Sequence, residues 1–245
     1  MFFELRQFEP GPQFLLLLVS ADFAIGEERP SIRYGNDADV ISPATVQIVA
    51  FDNGLEGILL GDNLLSPASR DELSELEGTE RSLHHRALMH SADLRARETA
   101  IETITVQNTF GEDFTLRTGS MKPPMDAMRE CMTAMVARWG LDPDIQRTLS
   151  RPAVPTDRYR VTRSVQQVYA RSMRMTGESA NLRIRLDIDE QGTVTGCHSQ
   201  MPIGHDAFRK NACFNLMRGQ FEPALDADGN PVASYWTTGI VYFMP

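Results

Sequence analysis

The sequence predicts an α+β protein, with strands and helices grouped in blocks rather than alternating. Three observations carry that expectation. The run Asn181-Leu-Arg-Ile-Arg-Leu-Asp-Ile-Asp189 alternates apolar and polar residues strictly, the period-two signature of a strand with one buried face. Two apolar runs and an Asn-Gly hairpin crowd the first 60 residues. Met125, Met128, Met132, Met135, Val136 and Trp139 recur at the spacing of one helix face.

Taken in order, Phe2–Phe8 and Gln13–Phe23 read as strands joined by Glu9-Pro-Gly-Pro12, which cannot continue a ladder. The second is apolar on both faces, which predicts a central strand. Arg29–Ser42 is polar, holds the turn Gly35-Asn-Asp37 and reads as a loop. Thr45–Phe51 and Leu55–Leu60 flank Asp52-Asn-Gly54, which suits a type I′ turn. The N-terminal part is thus expected to begin as an antiparallel β-meander.

Ser66–Ala100 is a charged stretch in which Gly78 interrupts any helix. His84, His85 and His90 are spaced by five and six residues, not the four that place two ligands on one helix face, so no metal site is expected there. Ile101–Asn108 and Phe114–Thr118 predict a further hairpin around Gly111-Glu-Asp113. The strand running into Thr118-Gly-Ser120 has Arg117 where an aspartic-protease turn needs its catalytic carboxylate, which excludes that chemistry. Pro123-Pro124 opens the methionine-rich helix and Gly140 stops it. Its stripe could form an adaptable groove, but a core-facing helix is the plainer reading. Leu141–Leu149 reads as a short helical coda. The domains expected are an acidic α+β domain over 1–150, a Pro-containing linker over 151–157 and a smaller domain over 158–245.

In that last domain Leu182, Ile184, Leu186 and Ile188 point one way, and Asn181, Arg183, Arg185 and Asp187 the other, wet way. Asp189-Glu-Gln-Gly192 turns the chain and Thr193–His198 returns as a second strand. Gly204-His-Asp206 opens a helix, Phe208, Ala212 and Leu216 form its apolar stripe, and Gly219 closes it. Phe221-Glu-Pro-Ala224, a tip at Asp226–Pro231 and a run over Val232–Phe243 follow. The expectation is a helix packed on an antiparallel three-stranded sheet.

Apolar residues make up 42% and charged residues 23% of the chain, as in soluble globular proteins. The net charge of −9 is uneven: residues 1–150 hold 13 basic and 24 acidic side chains, residues 151–245 hold 11 and 9. An acidic first part argues against nucleic acid as a partner. No stretch approaches the roughly 20 apolar residues of a membrane helix. Phe14–Val19, preceded by Glu4, Arg6 and Glu9, does not read as a signal peptide. No phosphate loop, nucleophile elbow or nucleophile–base pair is visible, so no catalytic residues and no cofactor are expected.

Gln167-Val-Tyr-Ala-Arg171, Gly177, the hairpin at Gly192, His205-Asp206, Phe221-x-Pro-Ala224, Asp228-Gly-x-Pro-Val232 and the closing strand together resemble the TonB C-terminal domain family, over residues 159–245. Val168-Tyr169 stands where that family has Tyr-Pro before its first helix. The resemblance implies a periplasmic module that grips an extended segment of an outer-membrane transporter. Energy-transducing members need a membrane anchor and a proline-rich spacer, and neither lies within these residues. The expectation is therefore either the mature part of a longer precursor or a module used without energy coupling. The function expected is a non-catalytic periplasmic protein with a protein-recognition module. Two alternatives are a structural homodimer joined through the module's edge, and an enzyme in residues 1–150 with a docking tail.

Cys197 ends a strand and Cys213 lies in the helix that packs on it. In an oxidising compartment this placement favours a disulfide over two buried thiols or a metal site with His198 and His205, whose spacing fits no standard zinc pattern. Cys131 is left over. The last strand is expected at a sheet edge, so Trp236, Thr237, Gly239, Val241 and Phe243 are the candidate residues for pairing with a partner strand, and Gly239 is a candidate bulge.

Overall fold

The computed structural model describes residues 2–11, 13–21, 28–37, 40–51, 54–109, 113–157, 161, 163, 180–203 and 206–242. It is α+β, and the chain forms two compact units, Met1–Met135 and Val136–Pro245.

The first unit opens with β1 (Phe2–Arg6), β2 (Gln13–Ser20), β3 (Ser31–Tyr34), β4 (Thr45–Ala50) and β5 (Glu56–Asn63). One sheet has the order β1-β2-β5-β4, antiparallel throughout. β2 lies inside it, and six consecutive residues, Phe14–Val19, are buried because both faces are covered. Phe14, Leu16 and Leu18 join one core with Ile58 and Leu60, while Leu15, Leu17 and Val19 join a second with Leu59. The order departs from a simple meander at one point: β5 slots between β2 and β4, and β3 leaves for another sheet.

β3 corrects the loop expected over Arg29–Ser42. It pairs with β6 (Thr103–Gln107), which in turn pairs with β7 (Phe114–Arg117). Four residues are too few to show a period, and burial decides instead: Ile32 and Tyr34 are fully buried. The Tyr34 hydroxyl donates to Asp62 at 2.9 Å, and burial together with that carboxylate holds the phenol well above its usual pKa. Asp62 is satisfied further by Arg70 at 2.7 Å, as a buried carboxylate must be.

The charged stretch forms α1 (Pro67–Glu75), α2 (Gly78–Leu88) and α3 (Ala92–Ala100). Ser66 and Ser91 cap α1 and α3 by accepting from the backbone N–H of Ser69 and Leu94. Gly78 stands at the start of α2, just past the break expected there. α4 (Lys122–Arg138) carries the methionine stripe, with Met125, Met132 and Val136 buried, as a core-facing helix requires. The boundary between the two units falls within this helix.

The second unit adds α5 (Pro143–Arg147), β8 (Val154–Pro155), β9 (Ala180–Ile188), β10 (Val194–Ile203), α6 (Asp206–Leu216), β11 (Phe221–Glu222), β12 (Ala224–Leu225), β13 (Pro231–Val232) and β14 (Ser234–Tyr242). Its sheet has the order β10-β9-β14, both pairings antiparallel. α6 lays Phe208, Ala212 and Leu216 on Leu182, Ile184, Leu186 and Ile188. The stretch 151–157 is tied to this core: Ala153 is buried in it and Val154–Pro155 pairs with Phe221–Glu222. At the β9–β10 turn a Cβ on Gly192 (φ +79°) would lie 2.0 Å from the Phe221 carbonyl oxygen, so only glycine fits there.

Candidate functional site

Among the described residues β14 is the last strand of its sheet and pairs with β9 alone, over nine residues from Ser234↔Ile188 to Tyr242↔Ala180 without a register shift. The glycine at 239 pairs squarely with Arg183, so the bulge considered there is absent.

Cross-strand partners share a face, which sorts the side chains of β14. Trp236, Thr238, Ile240 and Tyr242 lie opposite Leu186, Ile184, Leu182 and Ala180, on the face that α6 covers. Trp236 packs edge-on against Phe221, with centroids 5.4 Å apart, and Tyr242 tilts against Phe208 at 5.0 Å. Burial lifts the Tyr242 phenol to about 12. Tyr235, Thr237 and Gly239 lie on the outer face, opposite Asp187, Arg185 and Arg183. The backbone of 241 pairs with Asn181. Of the expected edge residues, then, Trp236 belongs to the core side, and Thr237, Gly239 and Val241 occupy odd positions of the strand. Phe243 lies outside the described residues.

The outer face is not the wet surface that alternation implies. Trp139, just past the end of α4, lays its ring under the Arg185 guanidinium at 4.2 Å and meets Tyr235 edge-on at 5.0 Å. Arg185 and Tyr235 are consequently only 6% and 5% exposed. Burial pulls the Arg185 pKa below its ordinary value, and the Asp187 charge opposes that shift. Arg185 Nε lies 3.0 Å from Asp187 Oδ1 in an ion pair, and Arg185 Nη2 donates to Asp187 Oδ2 at 3.5 Å. The other Asp187 oxygen meets His198 Nε2 at 2.7 Å. Sequence reasoning missed this cluster because period two assigns a face and not its cover; the one available signal was a tryptophan at the end of a core stripe.

The opposite edge is built differently. β10 shifts register between Val194 and Gly196 and again between Ser199 and Met201, which leaves Thr195 and Gln200 as the extra residues. The first shift has a chemical result. Strict alternation from Val194 would aim Cys197 away from α6; the extra residue turns it to the core face, opposite Leu186. There it is bonded to Cys213, with sulfurs 2.06 Å and Cα atoms 5.6 Å apart. The bridge removes both sulfurs from the alternative metal set, and His205 lies outside the described residues. Among the described residues no group of three or more His, Cys, Asp or Glu is placed to hold a metal ion. Cys131 is free and exposed. Among the described residues no helix is long and apolar enough to cross a membrane.

The chain matches no curated protein and no solved structure. Residues 165–244 match the family model described as the Gram-negative bacterial TonB protein C-terminal, so that segment is similar to that family.

Proposed function

We propose that the second unit is a protein-recognition module that adds an extended segment of a partner to the open edge of β14. The observation that carries this reading is a nine-residue terminal strand in unbroken register, without proline or lysine to discourage pairing. In an antiparallel strand the N–H and C=O groups of alternate residues face away from the neighbour, which is the geometry an added strand pairs with. The similarity of residues 165–244 to the TonB family supports a periplasmic setting and an outer-membrane transporter segment as the partner. The role is binding rather than catalysis. The acidic part of the chain accompanies the module, with Met1–Met135 as a compact unit of its own.

Two proline variants test the reading. Positions 238 and 241 have opposite parity, so one of Thr238→Pro and Val241→Pro removes an amide directed at β9 and the other removes an outward amide. The variant that keeps its fold, by circular dichroism, is expected to lose binding of extended peptides. A folded variant of each kind that binds as the parent does would overturn strand addition.

A further inference from the structure

Arg183 is the unspent charge of the outer face. It projects from β9 opposite Gly239, and its guanidinium lies flat over that residue: a Cβ on Gly239 would meet Arg183 Nη1 at 3.4 Å, Cζ at 3.5 Å and Nε at 3.7 Å. The glycine leaves the edge strand without a side chain at the one place where the arginine crosses it. Among the described residues no carboxylate pairs with Arg183, and the nearby Asp187 is already engaged by Arg185 and His198. Arg185 cannot substitute for it, being held over the Trp139 ring.

We propose that Arg183, reaching over Gly239, selects partners that carry an acidic side chain where the added strand passes residue 239. This rests on the strand-addition reading and gives that edge its specificity. A strand laid along β14 places every second side chain on the outer face, one strand spacing of about 4.8 Å from the Gly239 backbone. A glutamate or aspartate there meets a guanidinium already placed over the strand that gives up no ion pair among the described residues, and the planar fork suits a carboxylate bidentately. The same arginine opposes a second copy of the chain. If two β14 strands paired across residue 239, two guanidinium groups would face each other at about that spacing, with no anion to separate them.

Panning nine-residue random peptides against the full chain tests this directly. Peptides retained by the parent should be enriched in Asp or Glu at one fixed position. Arg183→Glu should instead enrich Lys or Arg at that position, and Arg183→Lys should restore the acidic pool. For a retained peptide, changing its acidic residue to Gln should weaken binding about fivefold at low salt, and raising the salt should shrink the difference. A parent pool without acidic enrichment, or the same pool on Arg183→Glu, overturns the role of Arg183 while leaving strand addition standing. A parent that retains no peptide overturns strand addition and this inference with it. The two failures are thereby distinguished.

Discussion

The two edges of the small sheet differ in the way that decides which of them can take a partner. β10 is interrupted twice, at Thr195 and Gln200, and covalently tied to α6 through Cys197–Cys213. β14 is regular for nine residues and, among the described residues, pairs on one side only. Bulges break the even spacing of donors and acceptors that an added strand must match. One sheet thus carries a blunted edge and an open one. The difference lies in single extra residues and in Pro202 of β10, not in strand length.

The largest test removes the platform that both edges share. Phe208 is fully buried between α6 and the sheet, so Phe208→Ala should cost about 3–5 kcal/mol, read by urea denaturation followed at Trp139 and Trp236. A smaller effect separates the edges. With Cys197 and Cys213 both changed to Ser, the loss of a closed loop spanning 16 residues should cost about 3 kcal/mol. Amide exchange should then accelerate in β10 more than in β14, and equal acceleration in both strands would erase the asymmetry.

The third test addresses how β14 begins. Gln146 on α5 accepts from the buried Ser234 hydroxyl at 2.7 Å and donates to the Ala233 carbonyl at 2.9 Å. Gln146→Ala leaves both groups without that partner and should cost about 1–3 kcal/mol, with faster exchange at the Ser234 end of the strand. The smallest effect is expected at Arg183→Gln, which breaks no ion pair among the described residues and should leave thermal stability within about 0.5 kcal/mol of the parent. A larger loss would mean that Arg183 props up the edge rather than waiting there for a ligand.

Legibility in the sequence followed how far each feature reaches along the chain. The β9–β10 turn, the stripe of α6 and the hairpin over Thr45–Leu60 are local, and their residue patterns read correctly. β3 was missed because a four-residue strand inside a polar stretch shows no period; its identity comes from pairing with β6, some 70 residues later. The face of Cys197 could not be read from alternation, since one bulged residue reverses every position after it. The covering of Arg185 by Trp139 depends on a contact between residues far apart in sequence, and period two is silent on such contacts. Of the candidate edge residues, the strand was legible, but the neighbour of Gly239 was not: the Arg183 guanidinium lies across that residue from the adjacent strand.

The placement of the chain's two tryptophans has a spectroscopic consequence. Trp139 lies on the outer face against a guanidinium and Trp236 on the inner face beside Phe221, both in the second unit, while residues 1–135 contain none. Intrinsic fluorescence excited at the indole band therefore reports the second unit alone, whereas far-ultraviolet circular dichroism weighs both units by their helix and strand. Unfolding curves from the two probes coincide only if the units melt together. A fluorescence transition displaced from the dichroism transition would assign, without labels, which unit gives way first.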